Sequence, residues 1–220
     1  FFHVTYYLYY LDGGMLKLLF FALIVRPTVL LIFGVHVRGR ENLSHDKPSI
    51  IVANHNSHLD TLVLMSLFPL HKIYRIRPVA AADYFMKNRL IAWFSTQFIG
   101  IIPLNRKVER SHTHPLEPVR QALEAGDSII LFPEGSRGEA EQMGKFKSGV
   151  AHLAKMVPHI SVVPIYLGGA GKVLPKGEAL LVPFIIDVHI LEAMMIGEED
   201  THTFTGRLEA VIKKAGERDV

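Results

Sequence analysis

Residues 48–60 read as a strand, a turn and a helix start in immediate succession, and that order confines the chain to α/β architectures. Residues 49–53, Ser-Ile-Ile-Val-Ala, form an apolar run rich in β-branched side chains, long enough for a buried strand and too short for a helix. Residues 54–57 are capping and turn formers. From residue 58 onward, Leu59, Leu62, Val63, Met65 and Leu67 recur as one face of a helix. His55 therefore stands between a strand end and a helix start, where open α/β sheets bind ligands.

His55 and Asp60 could not meet on one straight helix, because five residues set them about 140° apart. With His55 in the turn and Asp60 in the first helical turn, the carboxylate can reach back to the imidazole. Such a carboxylate fixes the ring's tautomer and leaves the other nitrogen free to take a proton from a hydroxyl. The pair is then a base without a protein nucleophile, suited to activating an alcohol brought by the substrate. Two competing readings remain at this level. Asp60 is favoured at any helix N-terminus and Asn54 or Ser57 as a plain N-cap, with His55 one of twelve histidines. A metal site of His55, His58 and Asp60 is the other, though its spacing matches no standard zinc pattern and the chain has no cysteine.

The second constraint is hydropathy. Residues 15–37 are dominated by apolar side chains, interrupted near the middle by Arg26-Pro27. Each apolar piece is shorter than the ~20 residues that span a bilayer, and a central charge and a proline both oppose a single span. Two short helices dipping into one leaflet are expected, with a buried core helix pair as the competing reading. Six aromatics within residues 1–11 favour a membrane–water interface. An apolar fraction of 49% is high for a soluble enzyme, and the net charge of +3 suits anionic membranes or phosphorylated substrates. No Arg/Lys stripe interleaved with aromatics suggests nucleic acid.

Strand and helix patterns alternate along the rest of the chain. Strands are expected at residues 35–40, 78–82, 128–132 and 160–167, with one or two more in 179–190; Pro164 points to an edge or a bulge. Helices are expected at 84–98 (Met86, Leu90, Phe94 and Phe98 at steps of four), 115–125 and 146–156, with a charged, peripheral one at 203–214. Residues 100–106 read as an apolar strand ending in a cationic loop at Arg106, which suits an anion or is simply solvated. Residues 133–138 form a turn-rich loop in which Gly135 and Gly138 let the backbone approach a ligand. Arg137 there is a candidate phosphate clamp, and Glu134 would orient Arg106, Arg137 or a substrate hydroxyl. The alternative is a local Glu134–Arg137 ion pair.

Four blocks in this order resemble the glycerolipid acyltransferases of the lysophosphatidate acyltransferase (1-acylglycerol-3-phosphate O-acyltransferase) type. Asn54-His55-x-x-x-x-Asp60 is similar to the first motif and residues 100–106 to the second. Phe132-Pro133-Glu134-Gly135-Ser136-Arg137 is similar to the third, and Val163-Pro164-Ile165 falls at the fourth. The resemblance implies an α/β fold, a single domain with a mixed, largely parallel sheet flanked by helices, preceded by an N-terminal membrane-associating helix pair. Its division would be residues 1–37 as the membrane-associating segment and 38–220 as the acyltransferase domain. It implies an O-acyltransferase of phospholipid biosynthesis in which His55, held by Asp60, deprotonates a lysophospholipid hydroxyl that attacks an acyl thioester. Asn54, Ser57, Arg106, Glu134, Gly135, Ser136 and Arg137 would bind substrate. No metal or cofactor is implied; acyl-CoA or acyl-carrier-protein is a co-substrate. The partners implied are lysophospholipid, acyl thioester, acyl carrier protein and a membrane surface, with no nucleic acid. The place implied is the cytoplasmic face of the inner membrane, monotopic or peripheral. Glycerol 3-phosphate or another lysolipid as acceptor, and a non-catalytic lipid-binding protein, are the rival readings.

Overall fold

The computed structural model describes residues 14–32, 34–57, 59–85, 88–105, 114–136, 143–169 and 185–217. Among the described residues, seven strands form one sheet: β1 (Gly34–Arg38), β2 (Ile50–Ala53), β3 (Ile76–Ala81), β4 (Ile102–Leu104), β5 (Ser128–Leu131), β6 (Val162–Gly168) and β7 (Ile185–Ile190). Their order is β1-β7-β6-β2-β5-β3-β4, and every pairing is parallel except the antiparallel β6–β7. The mixed, largely parallel sheet expected from the sequence is therefore present.

Alternation along β2 divides the core. Ile51 and Ala53 face one side, with Val63, Leu64 and Phe68 from helix α2 (Leu59–Ser66) and the turn after it. Ile50 and Val52 face the other side, against α5 (Glu117–Glu124), α6 (Gly149–Met156) and α7 (Thr201–Gly216). With both faces covered, the central strands can be apolar at every position, and β2 is buried along its whole length. Two short helical pieces, α3 (Ala82–Phe85) and α4 (Arg89–Phe94), lie between β3 and β4, and α4 runs on into a π-helical turn at Ser95–Ile99.

Several expectations are corrected. Arg26-Pro27 does not split the hydrophobic segment into two helices: residues 14–32 form one helix, α1. A π-helical turn at Phe21–Val25 precedes the proline, and the Arg26 N–H reaches back to the Phe21 carbonyl. Widening the helix there accommodates the ring that would otherwise clash with the preceding turn. Phe21, Val25 and Val29 join the core beside α2, and the boundary expected between residues 37 and 38 falls inside β1. Among the described residues, no helix is long and apolar enough to cross a membrane.

Helix α7 is not peripheral. Phe204, Leu208 and Ile212 recur every four residues and are fully buried, while the charges that mark the helix in the sequence lie on its outer side. The 84–98 helix is shorter than expected, and Leu90, placed by its spacing on a packed face, is exposed. Pro164 lies in an interior strand, and the bulge belongs to the segment after β7 that faces it. Ile165 pairs with Ile190, yet Val162 bridges Met194, so one extra residue is inserted opposite the proline.

Lys17 of α1 is 3% exposed, and its Nζ donates to the Ile76 carbonyl at 2.7 Å. Burial first, then the nearby Arg77 guanidinium, lowers its pKa to about 7 from 10.5, against the opposing pull of Asp127. Between those two values the unfolded chain binds the extra proton, so this lysine makes stability rise with pH. Denaturant midpoints measured at pH 7 and pH 10 should therefore favour wild type over Lys17→Met at the higher pH, by roughly 2–4 kcal/mol relative to their difference at pH 7. Parallel pH profiles for the two proteins would contradict this assignment.

Candidate active site

The parallel strands β5, β2 and β6 lie side by side, and the loops leaving their carboxyl ends build the candidate site. Asn54 follows β2 directly and is 2% exposed. Its side-chain amide donates to the Leu167 carbonyl and accepts from the Leu167 N–H, both at 2.8 Å. The side chain thus copies a strand's hydrogen bonding and ties the turn to β6.

His55 is the next residue. Its Nδ1 lies 2.9 Å from Asp60 Oδ2, the approach anticipated for a turn histidine and a first-turn carboxylate. The same carboxylate oxygen accepts from the backbone N–H groups of Asn56 and Ser57, at 2.7 and 2.8 Å. These are donors at the start of α2 that no helical carbonyl can satisfy. Asp60 is fully buried, and three donors converge on its Oδ2. An acceptor facing Nδ1 places the ring proton there and leaves Nε2 with a lone pair. The ring is 18% exposed, so it remains within reach of a substrate. Ser57 is buried, and its Oγ accepts from the Leu59 N–H, a cap to α2.

Two further elements fix the imidazole. Phe132, at the end of β5, stacks on it with ring centroids 4.0 Å apart and planes 18° from parallel. Glu134 is 6% exposed and spans two loops: one oxygen accepts the His55 N–H and the other the Gly144 N–H, each at 2.8 Å. Burial raises its carboxyl pKa, and these two N–H bonds oppose the rise. A Cβ at residue 144 would sit 2.9 Å from the Glu134 Oε2, so the loop approaches this closely because residue 144 is glycine. Gly135 has φ of 76°, a left-handed conformation that glycine adopts without strain. The Lys147 ammonium lies over that glycine, 2.6 Å from where a Cβ would stand.

The structure thus brings together His55, Asp60 and Glu134, with Gly135 and the exposed Ser136 in the same loop as Glu134. Glu134, expected to orient an arginine or a substrate hydroxyl, instead spends both oxygens on backbone N–H groups. Asn54 and Ser57, expected to touch substrate, hold the turn from within. Arg106 and Arg137 lie outside the described residues, as does His58 of the metal reading. Phe132, Gly144 and Lys147 had been given no role in the site. Phe132 belongs to the third sequence block, but only the tertiary contact shows what its ring covers. A separate cavity of about 300 Å³, lined in part by His45, Lys72, Arg75 and Ser128, lies at the amino ends of the strands and shares no residue with this site.

A family model described as Acyltransferase matches residues 34–168. The chain is 34% identical over 147 residues to the chloroplastic 1-acyl-sn-glycerol-3-phosphate acyltransferase LPAT1 of Arabidopsis thaliana, covering 66% of this chain and 39% of that protein. It is 31% identical over 136 residues to the human 1-acyl-sn-glycerol-3-phosphate acyltransferase alpha, covering 60% of this chain and 45% of that one. The chain spans less than half the length of these curated relatives. The crystal structure of the 1-acyl-sn-glycerophosphate (LPA) acyltransferase PlsC from Thermotoga maritima superposes with a TM-score of 0.72. It is 24% identical, over 88% of this chain and 75% of that one, a likeness of fold.

Proposed function

Since this chain belongs to the acyltransferase family, we propose that it moves an acyl chain from a thioester to the free hydroxyl of lysophosphatidate, yielding phosphatidate. The observation that carries this reading is the buried Asp60 carboxylate bonded to His55 Nδ1 at 2.9 Å, with no other hydrogen-bond partner to the ring among the described residues. His55 Nε2 takes the acceptor's hydroxyl proton as the oxygen attacks the thioester carbonyl. The tetrahedral intermediate collapses, the C–S bond breaks, and the imidazolium returns its proton to the departing thiolate. Asp60 stabilises the imidazolium by charge, and the Phe132 ring face adds a cation–π contribution. General-base action of this kind supplies about 10²–10⁴-fold, and holding the two substrates together supplies more.

The acceptor's phosphate falls to cations. Arg106, Arg137 and the Lys147 ammonium over Gly135 are assigned that task, with Ser136 exposed beside them. Glu134 positions His55 through its backbone and does not itself meet the phosphate. Acyl-CoA or acyl-carrier-protein is the donor, used as a substrate with no resident metal or cofactor. The N-terminal segment that includes α1 holds the enzyme at the cytoplasmic face of a membrane, where acceptor and product both reside, and the loops at the carboxyl ends of the sheet perform the chemistry.

The test is thiol release from palmitoyl-CoA in lipid–detergent micelles, with and without lysophosphatidate. Release that depends on lysophosphatidate is expected, and glycerol 3-phosphate should substitute poorly. A protein inactive with both palmitoyl-CoA and palmitoyl-acyl-carrier-protein on any lysophospholipid would sink the reading.

A further inference from the structure

Helix α1 is apolar around its circumference. Phe21, Val25 and Val29 face the core, while Leu19, Leu23 and Ile24 point outward, Leu23 with 70% of its surface exposed. Helix α4 has no buried residue, and Leu90 (76% exposed), Ile91 and Trp93 (54%) stand in the open. A cluster of rings closes the seam between the two helices. Phe20 of α1 meets Phe94 and Phe98 edge-on at 5.4 and 5.5 Å, Phe94 stacks on Phe98 at 4.9 Å, and Trp93 meets Phe98 at 5.5 Å. The outward apolar side chains on the two helices therefore form one continuous surface. Exposed patches of this kind mark interaction sites.

Charge identifies the occupant. Residues 14–32 and 88–105 contain no Asp or Glu, so all 21 of the chain's acidic residues lie elsewhere. The cations in these segments are Lys17, which is buried, Arg26, whose guanidinium donates to the Phe68 carbonyl, and the exposed Arg89 at the start of α4. An apolar face drawn from segments that hold no acidic residue, carrying an exposed tryptophan and the exposed Arg89, matches an anionic lipid surface.

We propose that the membrane-docking surface is composite, with α4, inserted between β3 and β4 of the catalytic domain, seating Leu90, Ile91 and Trp93 in the lipid beside α1. The proposal extends the membrane contact of the preceding section and assigns α4 a function that its spacing did not suggest. Docking through α4 ties the sheet itself to the bilayer, so the candidate site is held at a set height and orientation over the lipid.

Trp93 is the only tryptophan in the chain and serves as a native reporter. Full-length protein is titrated with vesicles of phosphatidylglycerol and phosphatidylcholine, and its emission is followed. A shift to shorter wavelength, with quenching by lipids brominated on the acyl chain, is expected. Leu90→Glu, at a position with no packing to lose, should weaken partitioning about tenfold or more. Vesicle binding with Trp93 unshifted and unquenched would overturn the proposal, leaving the docking to α1 or residues 1–13. Short-wavelength emission before lipid is added would do so too: insensitive to dilution, it would mean that another part of the chain covers the face, and lost on dilution, a second copy. Thiol release with a short-chain, water-soluble acceptor is recorded in parallel, so that failure of docking and failure of the acyl-transfer reading give separate results.

Discussion

His55→Ala is expected to reduce acceptor-dependent thiol release by about 10²–10⁴-fold while leaving the protein folded. Three features predict a catalytic defect out of proportion to any structural one. The ring makes one side-chain hydrogen bond, to Asp60, whose carboxylate keeps its two backbone donors in the variant. The tie to Glu134 uses the His55 backbone N–H and survives the substitution. The stacked contact with Phe132 is lost, leaving one face of a single ring exposed. The measurement is the initial rate of thiol release at saturating palmitoyl-CoA, alongside a thermal melt. Unchanged activity would show that the base lies elsewhere and would favour a lipid-binding role with an unused site.

Asp60 is expected to matter twice over, and two substitutions separate the effects. Asp60→Ala removes the acceptor of three donors at once. The N–H groups of Asn56 and Ser57 are left without a partner in a buried turn, at about 1–3 kcal/mol for each unmade bond. The imidazole also loses its orientation, so activity should fall about 10²–10⁴-fold. Asp60→Asn is the charge-only change. All three donors converge on Oδ2, and an amide oxygen in that place can keep every one of them. Its melting temperature should stay nearer wild type, while its rate falls because no negative charge offsets the imidazolium. If Asp60→Asn retained full activity, the carboxylate would be a helix cap and nothing more.

Much of the site is local in sequence and was legible there. The strand-turn-helix reading of residues 48–60 places His55 and Asp60 correctly because a five-residue turn has few conformations and both residues lie within it. The α/β class followed equally directly from alternating runs, and β2, β5 and β6 lie within a residue or two of their expected positions. What failed did so where packing or backbone geometry departs from the pattern along the chain. Leu90 falls on a plausible helical stripe, yet no element packs on it. The charges of α7 are exposed as expected, but Phe204, Leu208 and Ile212 find α6 and β6 behind them. Arg26-Pro27 reads as a break, and a π-helical turn one residue upstream lets the helix pass through it.

The sequence alone determined that His55 and Asp60 could meet, since a turn closing a short strand onto a helix start lets a carboxylate five residues on fold back to the imidazole. It also determined that β2 would be a buried strand. Only the tertiary structure decided what surrounds the imidazole. Phe132 and Glu134 lie 77 and 79 residues beyond His55, and the pairing of β2 with β5 brings both to it. It decided as well that Glu134 would satisfy two backbone N–H groups, because only in the assembled fold do the loops after β2 and β5 leave those donors facing one buried carboxylate. Hydrogen-bond demand of that kind has no pattern along the chain. It arises when water is excluded from loops that the sheet has brought together.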